Sequence, residues 1–318
     1  MLSAWTAVIA VLFAFWLDRA FGEPPVRWHP VVWMGKYLGW FGGRIAPREV
    51  LAGADWRAFS AGALAWYGGA MLAGLIAFLM QSSLLRLGQL VAGLLLGVLL
   101  KPLFSWRMLH REVVAVEAEL ERSLHAGQLQ LGRLVSRDVL RLTPVEVRES
   151  AIESLAENLN DSVVAPVFWF LVAGLPGAAV YRFANTADAM WGYRDMRAGL
   201  YWEWAGKWAA RADDVLSWLP ARITALLLAV AAGGLPLRRL RREAGRTASP
   251  NSGWPMAAMA LALGVRLRKP GGYSLHEAGA QAEASDTRRA VQLAQRSIAL
   301  LLVIASVAVF AIAQEWPW

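Results

Sequence analysis

The sequence contains no cysteine, which excludes disulfide bonds and thiolate metal sites. Its four histidines are isolated along the chain, and none stands in a zinc motif such as H-E-x-x-H, so a catalytic zinc ion is not expected. A P-loop and a G-x-G-x-x-G run are also missing, so any nucleotide would be bound without either signature. No nucleic-acid partner is expected. A metal ion would have to be held by oxygen or imidazole.

Charge is also scarce. Charged side chains make up 18% of the chain against 57% hydrophobic residues, and the mean hydropathy is +0.39, which is typical of an integral membrane protein. Six windows contain no Asp, Glu, Lys or Arg: residues 1–17, 58–85, 87–100, 162–181, 223–237 and 297–314. Several approach the roughly 20 residues that a spanning helix needs. The first window lacks a basic start and a cleavage motif, so we interpret it as a retained anchor.

Alternating Val, Ile and Thr are rare, so the predicted fold is all-α. We predict a polytopic helical membrane protein, a single membrane-embedded domain over residues 1–318, with about four firm transmembrane helices and cytoplasmic helical loops. Two further apolar segments, 162–181 and 215–237, contain helix-breaking residues at Gly174 to Gly177 and at Gly233 to Pro236. Broken segments at membrane depth need surrounding protein or water. These two either span or re-enter, and re-entry is favoured.

Lysine and arginine are concentrated in four stretches: six between residues 18 and 57, eight between 101 and 161, five between 182 and 214, and eleven between 238 and 296. The positive-inside rule places 18–57, 101–161 and 238–296 in the cytoplasm, with both chain ends outside. The loop 182–214 is cytoplasmic if the broken segments re-enter and external if they span. We therefore expect cytoplasm-facing catalytic segments at about 18–57, 101–161, 182–222 and 238–296.

A helix with one acidic face is predicted after Thr143. Thr143, Pro144 and Glu146 form a capping box with proline at the first helical position, so the helix should run from there toward Asp161. The side chains on one stripe of this helix are Glu146, Glu149, Glu153, Glu157 and Asn160. Four carboxylates on one stripe repel unless a divalent metal, arginines or a cationic substrate lies against them. The alternative is a solvated helix face.

Further polar clusters lie at the ends of the apolar segments. They are Asp18-Arg19 with the proline-rich turn up to His29-Pro30, Arg137-Asp138, Asn185-Thr186-Ala187-Asp188, Arg211 with Asp213-Asp214, and Ser249-Pro250-Asn251. Ionisable residues beside bilayer-depth segments are costly unless they are paired or functional. The alternative to function is charge balance, with Asp18 paired to Arg19 or Arg27, and with Asp213 or Asp214 paired to Arg211 or Arg222. For the arginines of 238–246 it is topology control and lipid attraction.

Taken in order, these blocks resemble a known family over nearly the whole chain, the adenosylcobinamide-phosphate synthases of cobalamin biosynthesis, or CobD/CbiB type. The resemblance rests on Leu17-Asp18-Arg19, Gly22-Glu23-Pro24-Pro25, His29 to Gly35, Val135 to Asp138, Glu153 to Asn158 with Asp161 and Ala165-Pro166, Asn185-Thr186, Asp188-Ala189-Met190, Gly192-Tyr193-Arg194, Asp213-Asp214, Pro220-Ala221-Arg222, and Ser249-Pro250-Asn251 with Gly253 to Met256. The chain departs from the family pattern at Glu23, where Asp is frequent, and at Ser162, where Gly is common. The second departure argues against a tight backbone approach at position 162.

The resemblance implies a multi-pass ligase of the bacterial inner membrane with a cytoplasmic active side. It would join a carboxylate of adenosylcobyric acid to the amine of 1-amino-2-propanol phosphate, or a related amino alcohol phosphate, and consume ATP. Amide formation from a carboxylate and an ammonium group is uphill in water, so an acyl phosphate is the expected intermediate. Phosphoryl transfer of this kind needs Mg²⁺ and arginines. The implied partners are the corrinoid, the amino alcohol phosphate, ATP, the lipid membrane and other late enzymes of the pathway.

Roles within the matching blocks are hypotheses that follow from the resemblance. The expected Mg²⁺ ligands are Glu153, Glu157, Asp161 and Asp188. The expected substrate- or nucleotide-binding residues are Asp18, His29, Asn158, Asn185, Thr186, Ser249 and Asn251. The expected catalytic residues are Arg137, Arg194 and Arg222, holding phosphate oxygens, and Asp213 and Asp214, one of which takes the proton of the incoming ammonium. Trp28, Trp33, Trp169, Trp191 and Trp202 either line a cytoplasm-facing bowl for the corrinoid or lie at the membrane interface.

Two other classes of protein stay open. A corrinoid transporter would use the broken helices as a substrate path. A non-catalytic membrane scaffold or sensor of the same fold would have lost the acidic blocks. This chain retains them, which favours the ligase.

Overall fold

The computed structural model describes residues 2–50 and 53–315, and these residues are helical almost throughout. Their α-helices are α1 (Ala4–Phe21), α2 (Pro30–Ile45), α3 (Trp56–Leu84), α4 (Gln89–Leu100), α5 (Trp106–Arg122), α6 (Leu124–Leu131), α7 (Pro144–Leu159), α8 (Ala165–Trp191), α9 (Lys207–Ala231), α10 (Leu237–Ala244), α11 (Gly253–Leu263) and α12 (Ala284–Glu315). The strands are two short antiparallel hairpins, β1 (Met196–Arg197) with β2 (Leu200–Tyr201) and β3 (Leu267–Arg268) with β4 (Ser274–Leu275). The all-α prediction is confirmed.

Six helical stretches of the described residues are long and apolar enough to cross a membrane. They are Ala4–Phe21, Trp56–Leu84, Gln89–Arg122, Pro144–Trp191, Lys207–Ala231 and Ala284–Val307. The chain is therefore a polytopic helical membrane protein. The two segments that the sequence marked as broken are among the six, so by length and apolar composition they match the four firm ones. Whether they span or re-enter stays a prediction.

The predicted break near Gly174 is confirmed. Ala173 and Gly174 leave helical geometry, and Gly174 has φ +66°, a conformation that favours glycine. The backbone N–H of Leu175 donates to Gln81 Oε1 of α3 at 2.8 Å. A side chain at position 174 would also collide with the Gln81 amide. Another helix therefore satisfies a backbone group that the break releases, as a membrane segment requires.

The second predicted break, at Gly233 to Pro236, is also confirmed. Helix α9 continues through Pro220 to Ala231, and the chain leaves helical geometry at Gly233 and Gly234, which have φ +84° and +114°. Proline at 220 cannot donate to the carbonyl of Leu216. The indole N–H of Trp169 donates to that carbonyl instead, at 3.0 Å. This replacement explains why the helix tolerates the proline.

The described residues divide into two compact units, the first drawn from 1–104, 165–217 and 307–318 and the second from 105–164 and 218–306. In the first unit, α1 packs on α4 through small residues. A Cβ atom at Gly93 would lie 2.7 Å from Ile9, and one at Gly97 would lie 2.8 Å from the Ala10 carbonyl oxygen. Glycines four residues apart allow this close approach of two apolar helices. The prediction of a single membrane-embedded domain stays a prediction.

In the second unit, a buried charged network joins three helices. Arg148 of α7 donates from Nη2 to Glu117 Oε1 of α5 at 2.8 Å and from Nε at 3.0 Å. The hydroxyl of Thr287 in α12 donates to Glu117 Oε2 at 3.1 Å. Paired, hydrogen-bonded charges of this kind are tolerated in a core. The network places α7 at the centre of the unit.

Candidate functional site

Helix α7 carries the predicted acidic face. Thr143 and Glu146 form both hydrogen bonds of the capping box, and the helix begins at Pro144, as predicted. Glu149 and Glu153 are only 0% and 4% exposed. The solvated-face alternative is therefore wrong, and these carboxylates need partners inside the protein.

Arginines supply most of those partners. Glu146 pairs with Arg268 at 2.9 Å, and Glu149 pairs with Arg266 at 3.6 Å. Both arginines lie at or beside strand β3, so this strand faces the acidic stripe. Of the candidates considered for neutralising the stripe, arginine therefore accounts for its first two carboxylates.

The next carboxylate along the stripe pairs with a predicted catalytic residue. Arg137 Nη2 lies 3.2 Å from Glu153 Oε2 and donates to the Ser150 hydroxyl at 2.7 Å. The predicted metal ligand Glu153 is thus engaged by an arginine. This brings two of the predicted site residues together.

A polar cavity of about 250 Å³ opens beside this ion pair, inside the second unit. Its wall includes the predicted residues Arg137, Glu153 and Glu157, together with Lys269 and Tyr273 from the β3–β4 hairpin. Sequence reasoning missed Lys269 and Tyr273. The signal available for them was weak, a lysine before a Pro-Gly-Gly turn in an arginine-rich segment.

Tyr273 remains a hydrogen-bond donor in this cavity. Burial, followed by the negative charges of Glu153 and Glu157, raises the pKa of Tyr273 far above its ordinary range. Its hydroxyl therefore stays protonated at any physiological pH. It donates weakly to the Met256 sulfur at 3.5 Å and is close enough to the Glu153 carboxyl to interact with it.

The end of α7 is a π-helical turn over Asn160–Val164, a distortion frequent at functional sites. Asn160 donates to Asp161 Oδ1 at 2.7 Å and accepts from the Thr224 hydroxyl at 3.1 Å. Asn158 donates to the Ser154 carbonyl at 2.9 Å.

The backbone N–H of Ser105 donates to the Ser162 carbonyl at 2.9 Å. This contact uses the main chain of Ser162 and is of ordinary hydrogen-bond length, so the doubt about a tight approach at position 162 stays a prediction.

Three other predicted residues meet in the second unit. Arg222 Nη1 donates to Asn251 Oδ1 at 2.6 Å, and its Nη2 donates to the Pro250 carbonyl at 3.0 Å. Ser249 Oγ accepts from the backbone N–H of Asn251 at 3.2 Å, which shapes the turn. The guanidinium of Arg222 also lies over the ring of Trp254 at 4.9 Å. The Ser249, Asn251 and Arg222 predictions thus converge on one cluster.

In the first unit, Asn185 and Asp213 come together. Asn185 Nδ2 lies 3.5 Å from Asp213 Oδ1, and the Ser217 hydroxyl lies 3.5 Å from Asp213 Oδ2. Arg182 donates to Asn185 at 3.4 Å, and the Thr186 hydroxyl donates to the Arg182 carbonyl at 2.7 Å. An amide group and a hydroxyl group therefore contact the buried Asp213 carboxylate.

Three further predicted site residues, Asp188, Arg194 and Asp214, also belong to the first unit. Asp214 is half-buried and feels the charge of the exposed Arg194. Asp188 is half-buried on α8, and its carbonyl accepts from the Gly192 N–H at 2.7 Å, where the helix ends. An acid and an arginine of the predicted catalytic set are thus electrostatically coupled.

A second ionic cluster of the first unit involves Asp18 and His29. Lys101 Nζ lies 3.0 Å from Asp18 Oδ1 and 3.1 Å from Glu23 Oε1. His29 Nε2 lies 3.1 Å from Glu23 Oε2, while its Nδ1 accepts from the Val31 N–H. The sequence suggested Arg19 or Arg27 as the partner of Asp18. The partner is instead Lys101, which lies 83 positions later in the chain, after an apolar helix.

The pKa of Glu23 reflects this cluster. Burial raises the pKa of its carboxyl, but the hydrogen bond from His29 and the charge of Lys101 together outweigh burial. The net pKa lies below the ordinary glutamate range. Glu23 therefore stays ionised beside Lys101.

An apolar cavity of about 680 Å³ lies next to this cluster in the first unit. Trp28 and Trp33 line it, with Glu23 and Lys101 at its polar edge. The expectation of five tryptophans around one bowl is wrong for Trp191 and Trp202. Both are buried in the core and stack at 6.0 Å, because they cover the small residues of α2. Trp169 instead donates to the α9 backbone, as described above.

The predicted magnesium ligands divide between the units. Glu153, Glu157 and Asp161 belong to the second and Asp188 to the first. Across residues 2–50 and 53–315, no group of three or more His, Asp or Glu side chains is arranged to hold a metal ion. Mg²⁺ at phosphoryl-transfer sites commonly uses only one or two carboxylates, with substrate phosphates and water. A site of that kind would not need three protein carboxylates, and the magnesium site stays a prediction.

Fold and site together define a class, a polytopic helical membrane protein with ionisable clusters beside its apolar helices. Comparison with known proteins identifies the family. The family described as "CobD/Cbib protein" matches residues 11–303. The chain belongs to the CobD/CbiB family, and the resemblance drawn from its sequence blocks is confirmed.

Curated relatives agree in length with this chain. A "Probable cobalamin biosynthesis protein CobD" of Methanothermobacter thermautotrophicus is 39% identical over 277 residues, covering 84% of this chain and 86% of that protein. A "Cobalamin biosynthesis protein CobD" of Chromobacterium violaceum is 42% identical over 263 residues, covering 80% and 79%. The protein of the same name from Brucella suis is 35% identical over 328 residues, covering 94% and 96%. No solved structure matches.

Proposed function

We propose that the protein acts in cobalamin biosynthesis as an ATP-dependent amide ligase. It attaches 1-amino-2-propanol phosphate, or a related amino alcohol phosphate, to adenosylcobyric acid and forms adenosylcobinamide phosphate. Family membership and the printed names of the relatives support the pathway. The observation that carries the reaction type is the polar cavity lined by Arg137, Lys269, Glu153 and Glu157, which offers charge of both signs to a phosphorylated substrate.

The chemistry requires activation of a carboxylate. The corrinoid carboxylate oxygen attacks the terminal phosphorus of ATP, ADP leaves, and an acyl phosphate forms. The amine then attacks the acyl carbon, inorganic phosphate leaves, and the amine proton passes to a base. Arginine and lysine side chains stabilise the charge that develops on the transferring phosphoryl group. Arg137, Arg194 and Arg222 are our candidates for holding phosphate oxygens of the substrates.

The proton of the attacking ammonium needs an acceptor. Asp213 and Asp214 are the candidates, because Asp213 is buried among amide and hydroxyl groups and Asp214 is half-buried beside an arginine charge. Asn185 orients Asp213 in this proposal.

We propose that Mg²⁺ accompanies the nucleotide. The expected ligands are Glu153, which also pairs with Arg137, and Glu157 and Asp161 in the second unit, with Asp188 as a further candidate. When bound, Mg²⁺ would neutralise part of the phosphate charge. Asn158, at the end of the same helix, is a candidate to contact the nucleotide.

We propose that the apolar cavity of the first unit binds the apolar side of the corrinoid. Its volume of about 680 Å³ is in the range of small-molecule sites. Trp28 and Trp33 supply aromatic surface, and the Lys101, Glu23 and His29 groups at its edge supply polar contacts. We further propose that the active side faces the cytoplasm, where ATP and the other late enzymes of the pathway are found.

The deciding experiment uses the purified full chain in detergent with adenosylcobyric acid, 1-amino-2-propanol phosphate and Mg-ATP. Amide product with one ADP released per amide is the expected result. ADP release without product, or product without ATP, contradicts the ligase. Flux of corrinoid through proteoliposomes without ATP turnover would identify a transporter instead, and absence of both activities would favour a scaffold.

A further inference from the structure

The polar cavity of the second unit contains one buried hydrogen-bond acceptor and one buried hydrogen-bond donor that lack a partner among the described residues. Glu153 is 5% exposed at its side chain, and Oε2 accepts from Arg137, whereas Oε1 has no hydrogen-bond partner among the described residues. Arg137 donates through Nη2 to Ser150 and Glu153, whereas its buried Nε–H has no acceptor in the same part of the chain. A buried acceptor needs a donor, and a buried donor needs an acceptor. The cavity therefore suits a ligand that carries both.

The β3–β4 hairpin adds a second cation and a hydroxyl donor. The backbone N–H of Lys269 donates to the Tyr273 carbonyl at 3.0 Å, which closes the turn that carries both residues into the cavity wall. The hairpin is anchored on both sides, by Arg268 to Glu146 at 2.9 Å and by the His276 N–H to the buried Glu243 at 2.9 Å. Lys269 is therefore an exposed charge on a fixed support.

Size and charge limit the ligand. A cavity of about 250 Å³ lies below the usual range of drug-sized sites, so it suits a small molecule better than a corrinoid. The cavity wall offers two cationic side chains, Arg137 and Lys269, and two carboxyl groups, Glu153 and Glu157. Because Arg137 and Glu153 are 3.2 Å apart, the complementary charges of the ligand must also be close together.

We propose that this cavity binds a compact zwitterion, a phosphate monoester with an ammonium group on the neighbouring carbon. The ammonium group donates to Glu153 Oε1, and the phosphate accepts from Arg137 and Lys269 and from the Tyr273 hydroxyl. This inference rests on the proposed function, in which the amino alcohol phosphate is such a molecule. It assigns that substrate to the second unit and gives Lys269 and Tyr273 a binding role.

Isothermal titration of the detergent-purified full chain tests the assignment without ATP, Mg²⁺ or corrinoid. The probes are 1-amino-2-propanol phosphate, isopropyl phosphate, which lacks the amine, and 1-amino-2-propanol, which lacks the phosphate. We expect the zwitterion to bind about tenfold or more tightly than either half. Lys269→Gln should weaken the zwitterion and isopropyl phosphate by about tenfold and leave 1-amino-2-propanol unchanged. Lys36→Gln, at an exposed lysine of α2, should change nothing.

Several results would overturn the proposal. They are undetectable binding of the zwitterion, equal binding of zwitterion and isopropyl phosphate, wild-type affinity in Lys269→Gln, or competitive displacement by Mg-ATP. Tyr273→Phe provides a second variant that removes only a hydroxyl, and it should weaken both phosphates. Binding is measured without turnover, so a protein that binds the zwitterion but makes no amide would refute the proposed function and leave this assignment standing.

Discussion

Lys101 Nζ lies 3.0 Å from Asp18 Oδ1, and the two side chains are only 6% and 1% exposed. The same ammonium group lies 3.1 Å from Glu23. One lysine at the end of α4 thus neutralises two carboxylates, Asp18 in the last turn of α1 and Glu23 just after that helix. Removing one partner of a buried pair leaves an uncompensated charge, which costs about 3–5 kcal/mol.

Lys101→Met is therefore expected to destabilise the protein by about 3–5 kcal/mol. Thermal unfolding of the detergent-purified protein, followed by circular dichroism, measures the shift. The double variant Lys101→Met with Asp18→Asn should recover much of the loss, because it removes both charges. A double variant less stable than the single one would contradict a direct pair.

Stability should also depend on pH through Glu23. Its folded pKa is lowered by the net effect of burial, His29 and Lys101, so the folded protein favours the carboxylate. The contribution is fully present above the ordinary glutamate pKa of about 4.3 and is lost as pH falls through the lower folded value. Melting temperatures of the wild type and Glu23→Gln should differ by a constant amount near neutral pH and converge in acid. A gap that widens in acid would refute this sign.

The α1–α4 contact predicts a sharp difference between two glycine substitutions. Gly97→Ala places a Cβ atom 2.8 Å from the Ala10 carbonyl oxygen and should cost about 1–3 kcal/mol by overpacking. Gly43→Ala adds the same atom on α2 where nothing lies within 4 Å, and it should be neutral or stabilising by about 0.5–1 kcal/mol. Thermal unfolding of both variants measures the difference. Equal stability of the two would show that α1 and α4 do not approach this closely.

The magnesium proposal predicts loss of activity without loss of membrane insertion. Glu157→Ala and Asp161→Ala should each lower amide formation by about a hundredfold or more. Glu119→Ala, at a surface ion pair with Arg122 on α5, is the matched control and should keep full activity. Product formation per inserted protein is the measurement. Full activity in both Glu157→Ala and Asp161→Ala would end the magnesium proposal.

Local features of the fold were predictable from the sequence. The capping box at Thr143 and Glu146 depends on residues three positions apart, and α7 begins where that spacing places it. The break at Gly174 follows from the backbone preferences of glycine and proline. Apolar runs indicated the membrane helices, because length and the absence of charge are sufficient for that prediction.

Long-range partners were not predictable. The acidic face of α7 was read correctly, but the choice of arginine as its counter-charge depends on Arg266 and Arg268, more than a hundred residues later in the chain. Lys269 and Tyr273 were not predicted as site residues for the same reason. Tryptophan is ambiguous in another way, since Trp28 lines a cavity and Trp202 fills a core with the same side chain. Only packing separates these roles.

The hydrogen bond from Leu175 N–H to Gln81 has a bearing on how the chain is built during synthesis. The acceptor lies 94 residues before the donor. The ribosome therefore completes α3 before it reaches the break in α8 at Gly174. The Gln81 side chain is already present when the Leu175 N–H needs an acceptor. In a circular permutant with α8 ahead of α3, this order would be reversed. The Leu175 N–H would then enter the bilayer before its acceptor had been synthesised.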